Sequence, residues 1–286
     1  MLPTRRITTM GGDKFRDEFS LAFDGTDDYV AIDGFASSDV ISEDDAWAIG
    51  FWFKSSQTDT GSAGEIIFSA HTSGFGNIIR IGNNANSSGG TVMGGIFYDD
   101  GRISDAVCLT DSDDPNNGTQ YTDGQWHHVV ITRPSGTGVV NTECYVDGKL
   151  QGYSWDNSDG TAHNSGQFHT DPAWGSAELA SIGQEWDNGG GPSDSDFFKG
   201  NISELFIYGS SDDVAHLSAS QVKTLYNGRE PYNHKEGIAS GNLKAWWRMG
   251  DGLENHSGTT IYDMSNNTNN GTMTNMAATD FEGDTP

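Results

Sequence analysis

Apolar and polar residues alternate along most of this chain in runs too short for helices. Trp126, His128, Val130 and Thr132 fall on one side of an extended segment, and His127, Val129, Ile131 and Arg133 on the other. Successive side chains of a strand point to opposite faces, so this period of two predicts a strand over 126–133. Gly136 and Gly138 mark a return, and a second short strand over 142–146 ends in the turn Asp147-Gly148. The pair reads as a hairpin buried between two sheets. Similar runs recur at 19–23, 29–32, 47–54, 65–69, 77–81, 92–98, 102–109, 177–182 and 201–208, separated by clusters of Gly, Asn and Asp. Regular short strands with turn signals between them predict an all-β protein, a two-sheet antiparallel β-sandwich.

One stretch breaks the pattern. In 216–228, Val222, Leu225 and Tyr226 share one side of a helix, and Ser218 stands three residues before Gln221, the spacing of a capping box. Gly228 can end it. A short helix near residues 218–227 is therefore predicted, followed by a polar linker over 229–241 that contains Pro231. Beyond it, Leu243, Ala245, Trp247 and Met249 alternate as a strand would, 258–263 suggests a second, and the remainder reads as loop.

Composition narrows what such a sandwich does. Asp and Glu number 41 against 15 Lys and Arg, a net charge of −26. A phosphate-binding face needs clustered cations, so nucleic acid is excluded, and an anionic membrane surface would be repelled. Solubility, cation binding and docking on a basic partner are the positive readings. Residues 1–18 reverse the sign locally, with Arg5, Arg6, Lys14 and Arg16. No apolar segment there reads as a secretory signal, and the longest apolar run, 46–53, is too short to span a bilayer. The protein reads as one made in the cytoplasm. Cys108 and Cys144 are too few for a disulfide framework. Cys144 reads as a small core residue, and a bridge between the two stays open.

Several stretches carry a family's wording. Ser20-Leu21-Ala22-Phe23-Asp24-Gly25-Thr26-Asp27-Asp28-Tyr29-Val30, then Ala48-Ile49-Gly50-Phe51-Trp52-Phe53-Lys54, then 123–130 with 145–148, then 200–208 and the Ser218 helix, occur in that order. Together they resemble the laminin-G-like, concanavalin A-like jelly rolls over 19–228. The resemblance implies two antiparallel sheets in a jelly roll. It leaves function open, because this sandwich carries lectins, adhesion modules, enzyme appendages and virion proteins alike. The chain then divides into a basic arm at 1–18, the jelly roll at 19–228, the linker at 229–241 and a C-terminal hairpin and tail at 242–286. The segment from Trp246 to Gly252, with 258–265 and 269–272, is similar to the first strands of another such repeat. It is too short for a second sandwich, and a lone hairpin is marginal in water. The tail therefore packs back on the first domain or pairs with a neighbouring subunit's sheet edge.

The resemblance also implies a Ca²⁺ site at the rim of the sandwich, built from carboxylates and loop carbonyls. The matching positions are Asp24, Asp27, Asp28 and Glu204, the last in a closing strand that reads Ser203-Glu204 where the family has Asp-Glu. The plainer alternative is a tight turn in which these side chains bond to backbone. Asp111, Asp113 and Asp114 read as a solvated loop, and His163 and His169 as a weak metal pair in a long loop. His127 and His128 must face opposite ways and cannot chelate one ion together.

Trp-Asp-Asn occurs twice, as Trp155-Asp156-Asn157 and Trp186-Asp187-Asn188, and Trp174 could join them. An aromatic platform beside carboxylate and amide groups suits a sugar; turn vocabulary with a packing tryptophan is the plainer alternative. Glucanases of this fold need Glu-x-Asp-x-x-Glu. Glu185-Trp186-Asp187 starts that motif, but position 190 is Gly, and Glu43-Asp44-Asp45 fails at Ala48. With no nucleophile in a recognisable setting, the protein is expected not to be an enzyme.

Two function classes follow. The first is a structural component of a phage particle, a decoration, capsid-associated or tail-associated protein. Its subunit contacts, in a homo-oligomer or larger assembly, would run through Arg5, Arg6, Lys14, Arg16, Trp246 and Trp247. The second is a carbohydrate-binding or adhesion module for surface glycans, with or without Ca²⁺, working outside the cell.

Overall fold

The computed structural model describes residues 15–32, 35, 45–56, 65–72, 75–85, 91–99, 104–108, 121–135, 143–153, 155–156, 179–184, 186–187, 191–192 and 196–286. In chain order the strands begin β1 (Ser20–Asp24), β2 (Tyr29–Ile32), β3 (Ala46–Lys54), β4 (Glu65–Thr72), β5 (Phe75–Ala85) and β6 (Thr91–Asp99). Next come β7 (Ser104–Cys108), β8 (Trp126–Arg133), β9 (Glu143–Val146), β10 (Lys149–Tyr153) and β11 (Trp155–Asp156). Then follow β12 (Leu179–Ile182), β13 (Trp186–Asp187), β14 (Gly191–Pro192), β15 (Lys199–Ser210) and the helix α1 (Ala219–Tyr226). The chain closes with β16 (Leu243–Trp247), β17 (Thr260–Ile261), β18 (Gly271–Thr274) and β19 (Phe281–Glu282).

Two antiparallel sheets form the sandwich. One has the order β10-β9-β8-β3-β15-β1-β19, with β16 also on β15; the other runs β11-β7-β6-β5-β4-β12-β2-β18-β17. β13 and β14 make a separate ribbon. The alternation read at 126–133 is the reason β8 sits in the first sheet, opposite β3 with Phe51 facing Val129 and Phe53 facing His127. All eight residues of β8 are buried, because both of its faces are covered. Val129 and Ile131 join Phe51, Phe53, Phe68 and Ile182 between the sheets. Val130 faces the other way, into a second apolar cluster with Phe206, Tyr208, Leu217, Val222 and Leu225. α1 closes that cluster, so the hairpin lies between a sheet on one side and a helix on the other. Gly50 makes room for it: a Cβ there would run into the Phe206 ring.

The helix starts as its sequence suggests. The backbone N–H of Ser218 donates to Gln221 Oε1 at 2.9 Å. Both Asn227 and Gly228 take the left-handed conformation after it, at φ 44° and 63°. Residues 229–241 are not a bare spacer. His234 is buried, and its Nδ1 lies 2.7 Å from the Tyr208 hydroxyl.

The C-terminal segment enters both sheets. β16 pairs with β15, Phe206 opposite Trp246, and β19 with β1, Leu21 opposite Phe281. On the other sheet β18 pairs with β2, Gly271 opposite Ile32, and β17 with β18. Polar side chains shape the loops between these strands. Asp263 accepts from the amides of Trp246, Ser265 and Asn269, and Glu254 from those of Gly250, Gly252 and Tyr262. Each buried carboxylate thereby satisfies backbone donors that no strand partner reaches.

Candidate functional site

The turn joining β1 to β2 gathers three carboxylates. Asp24 Oδ1 accepts from the amides of Thr26 (2.7 Å) and Asp27 (3.3 Å), and Asp28 Oδ2 accepts from the Asp24 amide at 3.0 Å. Gly25, at φ 76°, supplies the reversal. One oxygen from each of Asp24, Asp27 and Asp28 lies within 4.8 Å of the others. The Asp27 carbonyl is tied to the tail by Asn275 Nδ2 at 2.9 Å. Asp24 and Asp27 are exposed while Asp28 is buried, and its carboxyl is pushed up to about 6, first by burial. The Asp24 backbone bond opposes that rise, and the charges of Asp24, Asp280 and Asp27 add to it. Three converging carboxylates are the donor chemistry that a hard cation takes. The turn supplies three carboxylates toward the six to eight oxygens that Ca²⁺ takes, leaving carbonyls or water to complete the shell. The turn thus combines the two readings made from sequence: its side chains bond to backbone, and they still converge.

Glu204 does not belong to this group. Asp24 stands opposite Lys199 at the start of β15, whereas Glu204 lies further along, where the register with β3 shifts between Ser203 and Phe206. Its φ of 51° marks a bulge. The bulge points a buried carboxylate at Trp246 Nε1 (2.6 Å) and Arg248 Nε (2.8 Å). Arg248 also donates to the carbonyls of Asp251 and Arg16, and its guanidinium lies 4.2 Å from the Phe15 ring centre. Asp17 accepts from Ser203 Oγ at 3.0 Å. Burial drives the carboxyls of both Asp17 and Glu204 upward; for Glu204 the Arg248 charge pulls against it. Glu204 is therefore an ion-pair partner in the interior and not a rim ligand.

The partner-docking expectation is corrected for the two tryptophans. Trp246 and Trp247 are 2% and 0% exposed, the first bonded to Glu204 and the second to the Asn269 carbonyl at 2.7 Å. Their alternation on β16 puts one ring in each apolar cluster. Arg16 is at the surface, paired with Glu18 at 3.2 Å. Arg5, Arg6 and Lys14 lie outside the described residues.

The neighbouring histidines part company. His127 is clamped by Asp147 at 2.9 Å and Asp123 at 3.2 Å. Burial lowers its basicity, but the Asp147 and Asp123 partners outweigh that and hold it above its ordinary value. His128 is buried beside Trp52, Phe206 and Tyr226, and burial pushes it down to about 3. One histidine staples two turns and the other fills a core.

The Trp-Asp pairs lie in strands. Trp155–Asp156 is β11, the edge of the nine-stranded sheet, opposite Ala106 and Asp105. Trp186–Asp187 is β13, opposite Pro192 and Gly191, and it lies against β4 and β12. Asn157, Trp174 and Asn188 lie outside the described residues, as do Asp111, Asp113, Asp114, His163, His169 and Glu185.

With the two sheets and their closing strand in place, one comparison decides the family. The model of the concanavalin A-like lectin/glucanases superfamily matches residues 24–222. The chain belongs to that superfamily. No curated protein sequence matches it. Among solved structures, this superfamily member is similar to a "putative carbohydrate binding protein" from Bacteroides ovatus, at 18% identity and TM-score 0.55 over 91% of this chain and 58% of that one. It is also similar to the heptameric SAP-like pentraxin of Limulus polyphemus, at 18% identity and TM-score 0.43 over 73% of this chain and 82% of the other. A third likeness is the sialidase CBM40 of Ruminococcus gnavus bound to α2,3-sialyllactose, at 13% identity and TM-score 0.41 over 72% and 96%.

The superfamily match ends at residue 222, yet the strands that complete both sheets come after it. Sequence reasoning missed the grouping of Asp17, Glu204, Arg248 and Asp251. Its signal was present: Glu204 interrupts the apolar run of β15 and Arg248 directly follows that of β16, and a charge in such a place needs an opposite one. The role of Cys144 was also left open; it is disulfide-bonded.

Proposed function

We propose that the protein is a non-enzymatic, lectin-like module that binds carbohydrate. Membership of the lectin/glucanases superfamily carries the reading, and the two Trp-Asp pairs on β11 and β13 are the contact residues proposed for it. An indole offers a flat apolar face to a sugar ring, and carboxylate and amide groups accept from its hydroxyls. The description of the Bacteroides ovatus structure as a carbohydrate binding protein supports the same class. On a glycan array the folded protein is expected to give selective signals, weakened about tenfold or more by Trp155→Ala or Trp186→Ala. A folded, monodisperse wild-type protein silent across a broad array would overturn the reading.

Ca²⁺ at Asp24, Asp27 and Asp28 belongs to the same proposal. A divalent cation would relieve the mutual repulsion that helps to raise Asp28. Added Ca²⁺ is expected to raise the melting temperature and EDTA to reverse it; no shift in either direction would remove the ion from the account.

The proposed setting is the surface of a phage particle, with an extracellular adhesion module as the alternative. The disulfide at Cys144 supports a working place outside reducing cytoplasm, which both settings provide. Co-sedimentation of the protein with purified particles separates them.

A further inference from the structure

Residues 15–19 cross the point where β1 gives way to β16 along one edge of β15. β1 pairs with Lys199 to Ile202 and β16 with Leu205 to Tyr208. Between them Ser203 and Glu204 face the incoming segment. The segment is held at nearly every residue. The amides of Glu18 and Phe19 donate to Asp251 Oδ2 at 2.7 and 2.9 Å. The Arg16 carbonyl accepts from Arg248. Phe15 lies 5.8 Å from the Trp246 ring, and Phe19 stacks on His256 at 4.1 Å.

The chemistry under the segment is unbalanced. Asp17 is faced by Glu204 from β15 and by Asp251 from the turn after β16, with Ser203 as its neutral donor, while the Arg248 guanidinium is bonded to Glu204 and to the Arg16 carbonyl. On the segment itself Arg16 and Glu18 pair with each other in solvent. Three carboxyls thus gather round one guanidinium, with Glu204 and Arg248 buried and Asp17 and Asp251 half-buried. Burial and the neighbouring Glu204 and Asp251 disfavour an ionised Asp17 there, so it keeps a proton.

We propose that residues 15–19 are a proton-locked latch: the segment stays seated while Asp17 carries the shared proton, and losing it lets the segment lift from Trp246, Glu204 and Arg248. Burial, then the charges of Glu204 and Asp251, raise the docked Asp17 carboxyl, whereas in a free segment it returns to about 3.9. Between those limits each opening releases one proton. The opening constant therefore rises about tenfold per pH unit, and the latch is tight in acid and loose in alkali. Glu204 keeps Arg248 and Trp246 when the segment leaves, so its charge stays compensated.

Hydrogen exchange by mass spectrometry on the full chain reads this directly. After correction for the intrinsic rate, exchange at the Glu18 and Phe19 amides is expected to rise about tenfold per pH unit from about pH 6 to about pH 9, while amides of β8 show no such slope. In Asp17→Asn the slope is expected to vanish, because the neutral amide has no proton to lose and can still donate to Asp251. A flat wild-type profile, or an unchanged slope in Asp17→Asn, would overturn the latch. Should that variant fail to fold, Asp251→Asn takes its place: it keeps an acceptor for both amides and removes one charge. Its slope should then level off at lower pH, and a profile identical to wild type would count equally against the proposal.

Discussion

Two groups of acids meet at opposite ends of β1 and are handled in opposite ways. At its C-terminal end, Asp24, Asp27 and Asp28 close a turn on backbone amides, two of them open to solvent. At its N-terminal end, Asp17 approaches Glu204 beneath the latch, where a guanidinium, an indole and a shared proton answer the charge. The first group keeps two carboxylates open to solvent, where the proposed cation would bind; the second is answered from within. Convergence of acidic side chains is thus a poor sign of a site until the groups that answer them are known.

The sharpest way to break this contrast is to remove the internal answer. Arg248→Met should destabilise the fold by about 3–5 kcal/mol in urea denaturation, because Glu204 would stay buried without its ion pair. A loss below about 1 kcal/mol would mean that water or the Trp246 indole suffices. The outer group should respond in the other direction. Asp28 is held at about 6, above its free value of about 3.9, so the folded state loses stability as pH rises through that window. Asp28→Asn should therefore match the wild type near pH 4, become the more stable form above about pH 6, and lose any response to Ca²⁺. Equal pH profiles for the two proteins would place Asp28 in ordinary solvent. The smallest effect belongs to Asp24→Ala, which removes the acceptor for the Thr26 and Asp27 amides and should cost about 1 kcal/mol. A larger loss would show that the turn also nucleates the β1–β2 pairing.

Much of this was legible in residue order. The alternation from Trp126 to Arg133 marked β8 and required His127 and His128 to part, since a strand's side chains alternate whatever surrounds it. Ser218 and Gln221 marked the start of α1 because a capping box is closed within four residues. The resemblance carried by the β1–β2, β3 and β15 segments placed the chain in its superfamily. The tail was read only as far as two alternatives. Its wording resembles the opening of another repeat, but a strand's partner is chosen by the free edges of the folded sheet, and no local pattern names them. The same limit misplaced Glu204, whose positive φ and bulge arise from the meeting of β1 and β16, and Trp246 and Trp247, which looked available for a partner.

Residue order alone determined most of the sheet-forming segments as far as β16, the helix α1, the opposite facing of the two histidines and the acidic character of the chain; β18 and β19 lie where it read loop. The features so determined depend on periods of two and of 3.6 and on charges that are countable without a fold. Only the tertiary structure decided which charges meet. It brought Asp17 and Asp251 from distant parts of the chain to the buried Glu204–Arg248 pair, and left Asp24, Asp27 and Asp28 at an open turn. Burial and pairing set the proton affinity and cation affinity of a carboxylate, and both are properties of its neighbours in space.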